Sequence, residues 1–402
     1  MSGRGELVGF APPLEPARAA LSGDYSVQPA ADGGLALRDT REKLVCRISV
    51  YAAPGGSFWL TLAPLRGYSA DASRIRRRLL AAGFLSEEGW KSAAVPMAAA
   101  ERADVAVARV LLRLQELQDA NLPGTLADAD PEFLHDLRVA IRRTRSVLRQ
   151  MRGVFARDDL ERARGAFKWL QSQTGPTRDL DVYLQEFEQL RALAPDARQA
   201  DLSPLEPLLR ERHRRARAAM EQALSSERAG RLRRDWGELL GTLVARSEDG
   251  RPDATRPIAA LAAERIRKVH RQMVRMGAAI TLDSVPAQYH ELRKKGKELR
   301  YLLELFGLEL FDPEVVRPLI RALKSLQDVL GLHQDREIQI AMLTELGDEL
   351  VSQPGGAGAL IAIGTLIDRL EAEARAARRR FAAAFTEFAS AAQCKLVARE
   401  FK

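Results

Sequence analysis

The feature that most constrains this chain is a long internal duplication. His135 recurs as His290, 155 residues later, and KWLQSQTG at 168–175 recurs as KSLQDVLG at 324–331, displaced by 156. Asp179 likewise recurs as Asp335. One residue of drift is what a single inserted loop residue would produce. Two copies of one segment must each bury the same face, so they should build similar halves related by a pseudo-twofold axis.

Each copy carries the same charge pattern. In HDLRVAIRRTRSVLR, residues 135–149, His135, Arg138, Arg142, Arg145 and Arg149 step by three or four residues. At 100° per residue these side chains share one helical stripe roughly 80° wide. Leu134, Leu137, Ile141, Leu148, Met151 and Phe155 form an adjoining apolar face, which would be buried. In HELRKKGKELRYLLE, residues 290–304, His290, Arg293, Lys297 and Arg300 repeat the stripe, above an apolar face of Leu292, Leu299, Leu303, Phe306 and Leu310. The nearest acids, Asp136 and Glu291, point about 100° away from the stripes. A solvated helix face normally interleaves both signs to gain i,i+4 pairs, so two one-sign stripes point to a surface that holds a polyanion.

The rest of the chain sets bounds. Its 402 residues, 46% hydrophobic, suffice for two or three domains with a sizeable core. Lys and Arg exceed Asp and Glu by 62 to 54, which admits nucleic acid, polyphosphate or anionic lipid as partners and selects none. Only two cysteines, Cys46 and Cys394, occur, far apart, so a reducing cytoplasmic setting is the simpler expectation. The N-terminus lacks a signal-peptide core, and ALIAIGTLI at 359–367 is too short to span a bilayer, so no membrane partner is expected.

Residues 1–97 read as a small α+β module. Leu44, Cys46, Ile48 and Val50 alternate as in a strand, Pro54-Gly55-Gly56 signals a turn, and SFWLTL at 57–62 returns. Asp32-Gly33-Gly34 is a candidate for an earlier turn, and residues 70–84 read as a helix ended by Gly83. From residue 98 the pattern is helical. Helices are expected at about 98–121, 131–155, 158–174, 177–193, 203–226 and 228–247, then, after a polar break at 247–257, at about 257–281, 285–310, 313–331, 333–351 and 358–392. Gly175 and Gly331 are expected to end helices, with Asp179 and Asp335 near the next helix starts as caps or arginine partners. Helices joined by short loops should pack as antiparallel bundles. The expected class is therefore mainly α, with two similar halves, about 98–247 and 257–392, after the α+β module.

The pairing of HDLRVAIRRTR with HELRKKGKELRY, followed by TGPTRDLDV and LKSLQDVLGLHQD, resembles the CHAD family, the conserved histidine α-helical domain. The resemblance covers roughly 98–392. It implies two four-helix bundles and binding of inorganic polyphosphate in a basic central cavity, in some members at polyphosphate granules. By motif position it carries over Arg138, Arg142, Arg143 and Arg145 from the first half and Arg293, Lys294, Lys297 and Arg300 from the second. Lys168 and Lys324 come from the third-helix motif, and His135 and His290 are the name-giving histidines. Arg149 completes the first stripe. Many members also carry an N-terminal triphosphate-tunnel domain. No ExExK signature occurs in 1–97, so its triphosphatase activity is not carried over.

The halves are unequal. Arg143 corresponds to Glu298 and Arg149 to Glu304, so the second stripe is expected to be partly neutralised and the first to bind more strongly. The histidines either touch phosphate or hydrogen-bond a neighbouring helix. His213, His270 and His333 have weaker claims. Gly296 interrupts a helix at about 1 kcal/mol relative to Ala, which close approach of a helix or of ligand would explain. The arginine-rich segments at 210–217 and 375–380 either widen the basic surface or face solvent.

No cofactor or metal site is expected. A polyphosphate-metabolising enzyme would need metal-holding carboxylates, and the repeated candidates, Asp179 with Asp181 and Asp335 with Glu337, are sparse. The chain has no Walker A loop and no HExxH. The expectation is a binding protein rather than an enzyme. Nucleic acid ranks behind polyphosphate because single-strand binders interleave aromatics for stacking, and only Tyr301 lies beside a stripe. A generic polyanion surface is the remaining alternative.

Overall fold

The structure is a computed structural model and describes residues 6–9, 14–29, 34–52, 58–64, 69–82, 85–86, 93–351 and 356–402. The turns expected at Pro54-Gly55-Gly56 and Asp32-Gly33, and the helix end at Gly83, lie outside the described residues. The chain forms two compact units, one of Met1–Ala93 with Gln115–Ala140, the other of Ala94–Leu114 with Ile141–Lys402.

In the first unit the elements run β1 (Glu6–Gly9), α1 (Leu14–Leu21), β2 (Ser26–Pro29), β3 (Leu35–Arg38), β4 (Leu44–Ala52), β5 (Phe58–Pro64), α2 (Ser69–Ala81) and β6 (Leu85–Ser86). The strands form one antiparallel sheet in the order β2-β3-β4-β5-β1-β6. Pairing shifts from Leu37–Cys46 to Arg38–Leu44, leaving Val45 as a bulge residue. The bulge lets Val45 and Cys46 both bury, which strict alternation forbids. Ala17 and Leu21 of α1 and Ile75 and Leu79 of α2 share a core with Leu35, Leu37, Ile48, Leu60 and Leu62.

The helical chain begins with α3 (Ala103–Leu126), α4 (Pro131–Gln150), α5 (Arg157–Arg191), α6 (Leu205–Leu224) and α7 (Glu227–Thr242). It continues with α8 (Ile258–Ala278), α9 (Pro286–Leu302), α10 (Pro313–Leu350), α11 (Gly356–Phe388) and α12 (Ala391–Glu400). The starts of α3, α4 and α5 at 103, 131 and 157 recur in α8, α9 and α10 at 258, 286 and 313, displaced by 155, 155 and 156 residues. The extra residue falls in the interval that holds a π-helical turn, Leu303–Gly307. Such a turn absorbs one residue within a helix, so no loop insertion is needed. The mainly helical class and the duplication are thus borne out.

The expectation that Gly175 and Gly331 end helices is wrong. α5 runs 35 residues through Gly175 and Pro176, and α10 runs 38 through Gly331. Asp179 and Asp335 accordingly sit inside helices and cap nothing. An interior proline costs about 3 kcal/mol or more. Phe167, Leu170, Leu180, Tyr183 and Phe187 are buried along α5, and fully burying each large apolar side chain contributes roughly 1.5–3 kcal/mol, so packing outweighs the local breaker. The continuity has a purpose in packing. The C-terminal parts of α5 and α10 extend into one core with α6 and α11, where Leu190, Leu205 and Leu209 meet Leu346, Leu350, Ala359 and Leu366.

The polar break between the halves is also ordered. Arg251, only 3% exposed, donates to Asp104, itself fully buried, at 3.0 Å, and to the Val154 carbonyl at 2.9 Å. Backbone bonds Ala103 N to Arg256 O and Ile258 N to Glu101 O tie the break to the start of α3. Among the described residues no helix is long and apolar enough to cross a membrane.

Candidate basic site

The two stripe helices meet in the second unit, where residues 141–150 of α4 face α9. Arg143 pairs with Glu304 at 3.0 Å, and Arg149 pairs with Glu298. In the duplication Arg143 corresponds to Glu298 and Arg149 to Glu304. Each arginine therefore pairs with the counterpart of the other, which is the exchange a twofold axis between the helices demands. This corrects the expected asymmetry. Glu298 and Glu304 do engage second-half cations, Lys295 at 2.8 Å and Arg300 at 3.4 Å. They also take up two of the first half's own arginines, so neutralisation is shared across the axis and does not fall on the second stripe alone.

A second repeated contact positions the stripe. Arg300 donates to the Gln327 side chain at 2.9 Å, and Arg145 donates to Gln171. Gln171 and Gln327 are equivalent residues of α5 and α10. Each fixes the guanidinium of its own half, which lowers the entropy cost of later engaging a ligand. Gly296 explains itself here. A Cβ at this position would lie 3.1 Å from Gln327 Nε2 and 3.3 Å from Met273 Cε. Close approach of α8 and α10, not of a ligand, accounts for the glycine.

Near the axis, cations crowd together. Lys297 is half-buried or more among Arg293, Arg142 and Arg300, with Asp335 the opposing charge. Burial first, then these guanidiniums, push its ammonium down to about 7. Arg293 is lowered by the same burial, although Asp335 stands 3.8 Å away. Asp335 is raised, mainly by burial. Arg142 reaches the Tyr301 hydroxyl at 3.4 Å. Tyr301 is only 4% exposed and lies under Arg143 and Arg300 at 5.9 and 5.6 Å. Among the described residues neither Arg142 nor Lys297 forms an ion pair. One carboxylate against four crowded cations leaves an excess of positive charge, which costs stability unless an anion completes it.

Lys168 lies with Arg145 and Arg149 along a groove of about 460 Å³, together with Arg164 and Glu161. Arg164 was missed in the sequence because its counterpart, Ile320, is not basic. Its spacing of four residues from Lys168 was the available signal. Lys324 is exposed on α10. Lys294 lies about 40° outside the edge of the stripe and pairs with Glu291 at 2.7 Å, so it does not join the cluster. His290 Nδ1 bonds the Gln334 side chain of α10, which favours the structural reading of this histidine. His135 and Arg138 are half-buried on the part of α4 that belongs to the first unit.

Two of the weaker candidates, His213 and His333, resolve into structural roles. His213 bonds Asp181 at 2.7 Å, and His333, 2% exposed, accepts from Arg378 at 3.0 Å. The basic run at 210–217 is largely paired within α6 or across to α10, as Arg210 with Glu206, Arg217 with Glu221 and Arg212 with Glu345. It reads as a solvated, salt-bridged face.

Comparison with known proteins agrees with this architecture. No curated protein matches the chain. The crystal structure of the CHAD domain from the plant Ricinus communis is similar, with 26% identity and a TM-score of 0.57, over 71% of this chain and 94% of that one. PptA from Streptomyces chartreusis shares the fold, with 20% identity and a TM-score of 0.53, over 71% of this chain and all of that one. The family model for the CHAD domain matches residues 108–344, more than half of the sequence, and the chain therefore belongs to the CHAD family.

Proposed function

We propose that this protein binds inorganic polyphosphate at the cluster formed by α4 and α9, and that it binds without turning the polymer over. The family is associated with polyphosphate binding. The observation that carries the reading is the crowding of Arg142 and Lys297, neither in an ion pair among the described residues, beside Arg145, Arg293 and Arg300. Polyphosphate offers about one charge per phosphate and no bases, so it needs cations at repeated intervals. One helical turn, about 5.4 Å, supplies them. Arginines give bidentate contacts and lysines compact charges. Lys168, His290 and Lys324 extend the proposed binding track. Association with polyphosphate granules follows from such binding.

Two observations favour polyphosphate over its rivals. Tyr301, the one aromatic beside a stripe, is buried under guanidiniums and unavailable for base stacking. The repeated carboxylates are engaged by basic groups of the protein, Asp181 by His213 and Asp335 by Arg293, which supports binding over metal-assisted turnover. The test is a titration with long-chain polyphosphate. By analogy with nucleic acid, six or more phosphate contacts should cost roughly 10³-fold in affinity between about 50 and 200 mM salt. Single-stranded DNA should compete poorly. Equal affinity per charge would indicate a generic polyanion surface, and polymer shortening in the presence of Mg²⁺ would show an enzyme.

Lys297 makes the binding pH-dependent. Free, it titrates near 7. A bound polyanion favours the ammonium and raises that value, so binding takes up a proton. Affinity should be level below pH 7 and fall as pH rises from 7 to 9, by up to about tenfold per unit, since one pKa unit is about 1.36 kcal/mol. Lys297→Met should bind more weakly at pH 7 and lose this slope. A slope that persists in Lys297→Met would assign it to another group.

A further inference from the structure

A different basic surface lies on the second half alone. Arg267, Arg271 and Arg275 of α8 follow one another at four-residue intervals, so they project from neighbouring turns over roughly 12 Å at 1.5 Å per residue. They line a groove of about 680 Å³ whose other wall is α12, with Val274, Val397 and Ala398 supplying apolar surface. Among the described residues none of the three arginines has a carboxylate within ion-pairing distance. This is unlike most arginines of the helical unit, which pair with acids on their own or neighbouring helices. The pattern is not part of the duplication either. The first-half counterparts of Arg267, Arg271 and Arg275 are Leu112, Glu116 and Ala120.

A second observation points to a ligand. His270 also lines this groove, is only 3% exposed, and its Nε2 is buried without a hydrogen-bond partner. Its ring is held against Phe388, with centroids 5.3 Å apart. Leaving a buried polar atom unpaired is unfavourable, and a bound hydrogen-bonding group would offset that cost. Burial holds the imidazole down to about 4, so it is neutral at physiological pH and offers one N–H or one lone pair rather than charge. The charge complementarity thus comes from the arginines, and the histidine adds one directed bond inside an apolar wall. A volume of this size is that of a small-molecule site.

We propose that the groove between α8 and α12 is a second anion site, separate from the α4–α9 cluster, that takes a small phosphorylated ligand bearing an apolar group. The phosphates lie along Arg267, Arg271 and Arg275, and the apolar part rests against Val274 and Val397 near His270.

The protein carries its own reporter. Cys394 lines the groove and is partly accessible, whereas Cys46, the other cysteine, is fully buried. Alkylation of Cys394 in the full chain by neutral iodoacetamide, read as the mass of its peptide, reports occupancy. ATP without divalent metal is the phosphorylated probe whose adenine face can rest on the apolar wall, and tripolyphosphate is the purely anionic one. ATP should slow alkylation several-fold at saturation. Its half-protecting concentration should rise at least about tenfold in Arg271→Ala/Arg275→Ala, whose side chains are exposed and whose loss leaves folding intact. It should stay within about twofold in Arg142→Ala/Lys297→Ala, because neither side chain lines the groove and groups without shared partners act nearly independently. Absence of protection by ATP, or protection that survives Arg271→Ala/Arg275→Ala, would overturn the site. Loss of protection in Arg142→Ala/Lys297→Ala would assign the anion to the α4–α9 cluster instead. Protection by tripolyphosphate at the same concentration as ATP would overturn the apolar component.

Discussion

Arg142→Ala/Lys297→Ala/Arg300→Ala should bind long-chain polyphosphate at least about 100-fold more weakly than wild type at low salt. Hydrogen bonds to charged groups contribute roughly 1.5–3 kcal/mol each, and even with strong non-additivity three of them exceed the 2.7 kcal/mol that 100-fold requires. The salt dependence should also become shallower, by close to one unit of log–log slope for each phosphate that is no longer neutralised. The variant should fold as well as wild type or better, because removing crowded like charges relieves repulsion. The control is Arg210→Ala/Arg217→Ala on the salt-bridged face of α6, which should bind like wild type. Unchanged affinity in the triple variant, measured by titration, would refute the cluster as the polyphosphate site. A further comparison follows from the crossed ion pairs. Glu298→Gln/Glu304→Gln releases Arg143 and Arg149 as well as Lys295 and should tighten binding several-fold.

Asp104→Ala should destabilise the helical unit by about 3–5 kcal/mol, because it leaves Arg251 as an uncompensated buried charge. Both side chains are essentially inaccessible and stand 3.0 Å apart. Arg102, half in solvent, bonds the same carboxylate at 2.9 Å but does not replace it. For a unit of this size that loss lowers the melting temperature by roughly 10 °C. The paired replacement Asp104→Leu/Arg251→Met should recover much of the stability, since exchanging a whole buried ion pair for apolar groups is often neutral. Thermal unfolding followed by circular dichroism distinguishes the cases. A single variant as stable as wild type would mean that the break between the halves is held by its backbone bonds alone.

Much of this was legible in the residues. The starts of α4 and α9, at 131 and 286, follow from the periodic apolar faces and from Pro131 and Pro286, which suit a first helical turn. The basic stripes follow from the three- and four-residue spacing of Arg138, Arg142 and Arg145. The sheet strands at 44–52 and 58–64 follow from alternation around a turn signal. Other features were hidden because they depend on partners distant in sequence. Gly175-Pro176 is a strong local stop signal, yet α5 passes through it, since its buried face continues to Leu190 against α6 and α11. The groove of α8 and α12 joins residues more than a hundred positions apart, and no spacing announces it.

The sequence by itself determined the duplication, the mainly helical class and which residues carry positive charge on one helix face. These rest on local periodicity, which a chain displays without being folded. Only the tertiary structure decided how those charges are used. Glu298 and Glu304 stand in register with Arg143 and Arg149 in the alignment of the halves, but in space each crosses to the other's partner. An antiparallel twofold contact reverses order between the helices, and a linear sequence has no direction in which to show it. The same contact brings Arg142 and Lys297 together with no ion pair of their own among the described residues, and that proximity, set by packing rather than by composition, makes the cluster the candidate site.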